Sequence, residues 1–255
     1  MAQAENRIVT AAMLVIGNEV LSGRTQDANT HYVAGRLTEL GVRLAEARVV
    51  RDIQAEIVEA LNALRARYDY VFTSGGIGPT HDDITADAVA AAFGLSIDIR
   101  DDARALLEAH YEPGQLTPAR LRMARIPETA SLIDNPISTA PGFRIENVFV
   151  MAGVPAIMRA MFESCRHEIA GGTPLLSRTI SSELAEGRLA EPLGALQARF
   201  PDVDMGSYPF YRGLRFGTSI VLRATDRAVL DEAAAALIAA MVDLGGTPYE
   251  GDPPK

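Results

Sequence analysis

The stretch Ser74-Gly75-Gly76-Ile77-Gly78-Pro79-Thr80-His81-Asp82-Asp83-Ile84-Thr85 follows the short apolar run Tyr70–Thr73 and opens a helical stripe, Ile84–Phe93, that stops at Gly94. Three glycines after a strand let the backbone approach a ligand closely and turn its N–H groups toward an anion. The helix that follows offers its positive N-terminal end to the same anion. Two adjacent carboxylates, Asp82 and Asp83, repel a phosphate unless a divalent cation lies between them, so the stretch points to metal-bridged phosphate chemistry. The plainer alternative is a tight strand-to-helix turn in which Asp83 only caps the helix. The spacing is neither GxxxxGK[ST] nor GxGxxG, so the loop is not a P-loop or a dinucleotide fingerprint.

Upstream, the β-like run Ala11–Ile16 ends at Gly17. Asp27 sits where a helix N-cap falls, Tyr32, Leu37 and Leu40 follow on one stripe, and Gly41 closes the helix. Val42–Val50 reads as a strand, and Asp52 is placed to cap a helix over Ile53–Arg67 whose inner face is Ile57, Ala60, Leu61 and Leu64. This alternation predicts an α/β fold, a parallel sheet with helices on both faces. Ligands then sit beyond the C-terminal strand ends, where Gly17 and Ser74 lie.

Downstream, Asp101–Glu112 and Thr117–Ala124 read as helices and Pro127–Gly142 as a segment of turn formers. Val148–Met151 is a further strand, and Gly153-Val154-Pro155 leads into helix Ala156–Ile169. Gly171-Gly172-Thr173-Pro174 reads as a linker. Beyond it come strand Ser177–Leu184, helix Leu189–Phe200, strands Val203–Tyr208 and Thr218–Ala224, and helix Ala228–Leu244. The expected organisation is a main domain at 8–171, a small α+β domain at 175–247, and a loose tail at 248–255 with three prolines.

Composition limits the function classes. The net charge of −9 disfavours nucleic acid as a partner, because such surfaces carry a basic stripe. No apolar run approaches the roughly 18 residues of a membrane span, and Met1–Val9 lacks the apolar core of a signal peptide, so a cytoplasmic protein is expected. The single cysteine, Cys165, lies in a helical run and reads as a buried, inert thiol.

Further site candidates cluster at the same sheet end. Gly17-Asn18-Glu19 follows the first strand and can bring Glu19 beside the glycine loop, or leave it as a solvated glutamate. Asn29 opens the first helix facing that end, Asp52 either caps its helix or lines the site, and Gly153 and Pro155 can close the site from the last strand. His81 lies inside the loop motif without an evident acid–base partner. Arg120-Leu121-Arg122-Met123-Ala124-Arg125 can meet phosphates or form a solvated helix face.

The run Gly75–Thr85 closely resembles the signature of the molybdopterin-binding-like domain found in the competence/damage-inducible protein A family and at the N-terminus of eukaryotic FAD synthases. Ile16–Gly23, Thr25–Thr30, Thr139-Ala140-Pro141-Gly142-Phe143 and Gly153-Val154-Pro155 resemble its other motifs, over about residues 10–170. Gly206-Ser207-Tyr208-Pro209 resembles a segment of the FAD synthase version. The resemblance implies a three-layer sandwich that binds a nucleotide or a pterin. Members of the competence-protein family are metal-dependent ADP-ribose pyrophosphatases, the FAD synthase domain is a metal-dependent FAD hydrolase, and the related molybdenum-cofactor proteins bind or adenylylate molybdopterin. Those last proteins carry a basic residue where this chain has Asp82, so the Asp82–Asp83 pair resembles the pyrophosphatase branch. The family's Pro-Gly-Val-Pro stands here as Ala152-Gly153-Val154-Pro155. Neither a nicotinamide mononucleotide deamidase segment nor an FAD-forming segment is recognised in these residues, and neither activity is carried over.

These readings give a concrete expectation. Asp83, helped by Asp82 and Glu19, holds Mg²⁺ or a similar ion, with K⁺ a further candidate ion and molybdopterin a less favoured ligand. Glu19 and Asp52 are the candidates for general base. The N–H groups of Gly75–Thr80 hold a phosphate, and Gly17, Asn29, Ser74, Gly75, Gly76, Gly78, Pro79, Thr80, Thr85, Gly153 and Pro155 are the ligand-binding candidates. The alternative is a binding module without turnover. A second domain with a marginal core suggests a homodimer.

Overall fold

The run Val9–Ile16 forms strand β1, whose alternate side chains feed two separate cores. In the computed structural model, which describes residues 7–212 and 215–253, Ala12, Leu14 and Ile16 enter one core and Val9, Ala11, Met13 and Val15 the other. Period-two alternation with both faces apolar is what a central strand between two helical layers requires. Residues 1–6 of the segment read for a leader, and residues 254–255 of the tail, lie outside the described residues.

The chain divides into two units, Met1–Thr173 and Pro174–Lys255. In the first, β1 is followed by α1 (Asn18–Leu21), α2 (Asn29–Glu39), β2 (Val42–Val50), α3 (Gln54–Arg67), β3 (Tyr70–Ser74) and α4 (Thr85–Phe93). Then come β4 (Ile97–Ile99), α5 (Asp101–His110), α6 (Pro118–Leu121), β5 (Arg125–Pro127), β6 (Ser131–Ile133), β7 (Gly142–Ile145), β8 (Val148–Met151) and α7 (Pro155–Cys165). The main sheet has the order β2-β1-β3-β8-β7-β6. The first four strands in that order are parallel, while β7 and β6 add antiparallel. Helices α3, α4 and α5 supply buried residues to one core, and α2 and α7 to the other. The result is the α/β three-layer arrangement that the alternation predicts.

Several local expectations need correction. The segment Pro127–Gly142 is not only turns: it contains β6 and runs into β7, and β4 pairs with β5 in a separate two-stranded sheet. Three-residue strands are too short to show a period of two. Helix α5 stops at His110, and α7 ends at Cys165, followed by a 3₁₀ turn at Arg166–Glu168. Asp52 does not cap α3; its carboxylate accepts the backbone N–H of Asn18 at 2.8 Å.

The second unit contains β9 (Leu176–Ser182), α8 (Glu186–Arg199), β10 (Asp204–Arg212), β11 (Arg215–Ala224), α9 (Arg227–Asp243) and β12 (Tyr249–Glu250). Its sheet has the order β10-β11-β9-β12, and Ile180, Leu189, Val203, Ile220, Leu222, Leu230 and Leu237 lie in its own core. The tail is not loose over its described part. Tyr249 and Glu250 pair with β9, the Gly251 N–H donates to Thr179 O at 2.8 Å, and Arg178 binds Glu250 at 2.8 Å.

Candidate functional site

Register places the functional loops together. Ile16 is level with Val50, Val15 with Ser74, and Ser74 with Met151. The chain therefore leaves β1 at Gly17, β2 toward Asp52, β3 at Gly75 and β8 at Ala152-Gly153, all beyond one edge of the sheet, where open α/β sheets bind ligands.

Close approach explains the glycines. Gly75 has φ +109°, and a Cβ there would lie 2.1 Å from Ile16 O. Gly76 has φ +69°, and a Cβ would lie 2.1 Å from the Thr85 hydroxyl. That hydroxyl donates to Gly75 O at 2.9 Å, and the Thr85 N–H donates to Gly76 O at 2.9 Å. Thr85 is thus buried and spent on shaping the loop.

Asn29 and Ser74 brace the same floor. The Asn29 amide donates to Ser74 Oγ at 2.6 Å and to Gly153 O at 2.8 Å, tying α2, β3 and the loop after β8 into one unit. Asn29 lies beside the expected cap, because the Asp27 carboxylate accepts the N–H groups of Asn29 and Thr30 at 2.9 and 3.1 Å. The Asn29 Oδ1 is buried without a partner.

These loops border a cleft of ≈ 500 Å³, within the usual size of a small-molecule site. Glu19, Asp52, Gly75, Gly76, Gly78, Pro79, Asp82, Asp83, Gly153 and Pro155 line it. Gly17, Asn29, Ser74 and Thr85 are buried outside that lining, and Thr80 is exposed beside it. Asn135, Ser138, Ile157 and Met161, which the sequence did not mark, also line it, as does Met123 from the arginine run. The dipeptide Asn135-Pro136 was the available signal, as a turn marker. Asn135 is buried; its amide donates to Ser138 Oγ and Ala140 O, and its Oδ1 accepts from two backbone N–H groups, which shapes that wall.

The loop's donors are fewer than the sequence suggests. The Gly75 N–H is taken by Met151 O at 3.2 Å and the Thr80 N–H by Asp83 Oδ2 at 2.7 Å. Among the described residues the amides of Gly76, Ile77 and Gly78 have no protein acceptor, which leaves them for a ligand. Asp83 does not cap α4; its Oδ2 gathers the Thr80 N–H and hydroxyl instead. Thr80 and Asp82's own backbone N–H hold the Asp82 carboxyl below the usual carboxylate range. The single Thr80 hydroxyl proton faces both carboxylates, and its geometry assigns the bond to Asp83. His81 is 96% exposed, with Asp82 as its nearest acid at 3.9 Å.

The electrostatics are one-sided. Four carboxylates line the cleft and no Lys, Arg or His does. Two like unit charges 4 Å apart repel by about 4 kcal/mol at the effective dielectric of a protein surface, so a lining of this sign disfavours a bare anion. The donor set is all oxygen, which suits a hard divalent ion. Among the described residues no three His, Cys, Asp or Glu side chains are gathered closely enough to form a ready-made metal cage.

Fold and site together define an α/β domain whose candidate ligand cleft lies at the C-terminal end of a parallel sheet. Residues 12–170 match the family described as "Probable molybdopterin binding domain", and the chain belongs to that family. Residues 174–245 match "FAD synthase, middle domain". The chain is 34% identical over 258 residues to a CinA-like protein of Citrifermentans bemidjiense, covering 89% of this chain and 62% of that protein. It is 33% identical over 239 residues to a probable FAD synthase of Caenorhabditis elegans, covering 84% and 46% respectively. It is 37% identical over 164 residues to Protein TV0584 of Thermoplasma volcanium, covering 63% and 64%. The chain thus spans between 46% and 64% of the length of these relatives. The crystal structure of the protein CinA, of unknown function, from Thermoplasma acidophilum superposes with a TM-score of 0.60 at 35% identity, covering 63% of this chain and 98% of that one. Among the described residues no helix is long and apolar enough to cross a membrane.

Proposed function

We propose that the chain is a divalent-metal-dependent hydrolase of the pyrophosphate bond in a dinucleotide or nucleoside-diphosphate sugar such as ADP-ribose or FAD. The observation that carries this reading is the cleft itself: free glycine-loop amides beside four carboxylates and no basic side chain. Such a lining favours a phosphate that arrives with a cation.

Asp83 and Asp82 would hold the ion, with Glu19 a further carboxylate on the same cleft. Mg²⁺ needs only one or two protein carboxylates when phosphate oxygens and waters complete its shell, which fits the absence of a three-residue cage among the described residues. Bound there, the ion would supply charge neutralisation and a more acidic water. The chain's own part is to orient. The Gly76, Ile77 and Gly78 amides would take phosphate oxygens, and Ile157 and Met161 give the cleft an apolar wall. Asp52 is fixed by the Asn18 N–H through Oδ2, leaving Oδ1 as an acceptor for a water proton.

A second reading is a non-catalytic module holding a nucleotide or molybdopterin. The family's Pro-Gly-Val-Pro standing here as Ala152-Gly153-Val154-Pro155 favours it. The experiment is a chromatographic panel of ADP-ribose, FAD and related dinucleotides, with and without Mg²⁺, Mn²⁺ or Co²⁺. Release of AMP supports the hydrolase. Raised melting temperatures without any AMP support the binding module.

A further inference from the structure

The glycine loop borders a second cavity. A small recess that shares Gly76, Ile77, Gly78, Asp83 and Met123 with the main cleft is otherwise lined in part by Asp87, Arg122 and Arg125. Its free space is ≈ 20 Å³, room for one water-sized group and not for a whole phosphate.

Its charge differs from the cleft's. Two guanidinium groups stand here against two carboxylates. Arg125 is paired with Asp87, yet its Nε is buried without a partner. Arg122 is half-buried and, among the described residues, has no hydrogen-bond or ion-pair partner. Its neighbour Arg120 is committed to Gln115 O at 2.7 Å and to the face of Tyr111. No Arg122 nitrogen is among the buried atoms left without a partner, so its guanidinium stays open to water and to an incoming acceptor.

We propose that Arg122 binds a non-bridging oxygen of the ligand's second phosphate and so makes the site selective for diphosphates over monophosphates. This rests on the phosphate-binding reading of the glycine loop. A first phosphate on the free amides of Gly76–Gly78 sits at the wall common to both cavities. A second phosphate on the same ligand can then send one oxygen into a recess that has room for one. A monophosphate has no group to place there.

The test is calorimetric titration, in Mg²⁺, of AMP and of the non-hydrolysable α,β-methylene-ADP into the full chain, its Arg122→Gln and Arg122→Lys variants, and Arg120→Gln as control. The wild type should prefer the diphosphate by about tenfold or more, the size of a charge-assisted hydrogen bond. Arg122→Gln should lose that preference with AMP affinity unchanged and an unaltered melting temperature. Arg122→Lys should keep part of it, and Arg120→Gln all of it. A preference that survives in Arg122→Gln, or an equal loss for both nucleotides, overturns the assignment while leaving the phosphate reading standing. A wild type that binds neither nucleotide overturns the phosphate reading and the assignment with it.

Discussion

Replacing Gly75 by alanine should break the site by breaking the fold beneath it. Gly75 sits at φ +109°, which costs a non-glycine residue roughly 1–2 kcal/mol. The new Cβ would also fall 2.1 Å from Ile16 O, well inside the 3.0 Å that real Cβ atoms respect. That carbonyl ends the central strand β1 and cannot swing aside like a flexible side chain. Forced repacking of this kind typically costs about 1–3 kcal/mol. The sum is roughly 2–5 kcal/mol, or a fall in melting temperature of about 4–20 °C for a unit of this size. Gly78→Ala is the matched control. Its Cβ would meet only the Asp83 carboxylate, at 2.7 Å, so stability should change by less than about 1 kcal/mol while ligand binding suffers. Thermal unfolding followed by circular dichroism reads both. If Gly75→Ala melts with the wild type, the loop is not pressed against β1 and the packing argument is wrong.

Other outcomes follow from the same geometry. Asn29→Ala removes the bonds to Ser74 and Gly153 O and should cost roughly 1–3 kcal/mol in urea unfolding, with weaker nucleotide binding; an unchanged midpoint would show that the floor holds without it. The hydrogen bond from Arg36, with help from Tyr32 and Arg166, holds the Glu163 carboxyl down at about 2. Its folded pKa is depressed, so its stabilisation is present above pH about 4.5 and fades as pH falls toward 2. Because the carboxylate is 36% exposed, the effect should be only about 1 kcal/mol, and Glu163→Gln should flatten the acid limb of stability against pH by that amount. Burial pushes the Cys165 thiol up to about 12, so it should resist thiol reagents at pH 8 until the chain unfolds; prompt stoichiometric labelling of the native protein would contradict that. Light scattering tests the homodimer expected from the sequence, and a monomer at working concentration would remove it.

What the sequence shows and what it hides divide along physical lines. Long runs with a clear period, such as β1, α3 and α4, were legible because burial on two faces or one stripe leaves its mark in adjacent residues. The glycine loop was legible because positive φ and close backbone approach select glycine. The roles of Asp52 and Asn29 were not, because their partners, Asn18, Ser74 and Gly153, are 34 to 124 residues away in the chain. A cap and a ligand contact look alike until register brings such partners together. Strands β6 and β12, of three and two residues, carry too little pattern to be read against a background of prolines and other turn formers. The engaged amides of Gly75 and Thr80 were likewise invisible, since only the fold reveals which donors are already spent.

The central claim is that the acidic cleft recruits a cation in order to cleave a diphosphate. The most direct measurement is AMP release from ADP-ribose or FAD as Mg²⁺ is titrated into metal-stripped protein, for the wild type and for Asp83→Asn. The account predicts no turnover in excess chelator, saturable activation by the metal, and a loss of about 100-fold or more in Asp83→Asn with little change in melting temperature. Turnover that persists in chelator, or that Asp83→Asn leaves intact, would contradict it.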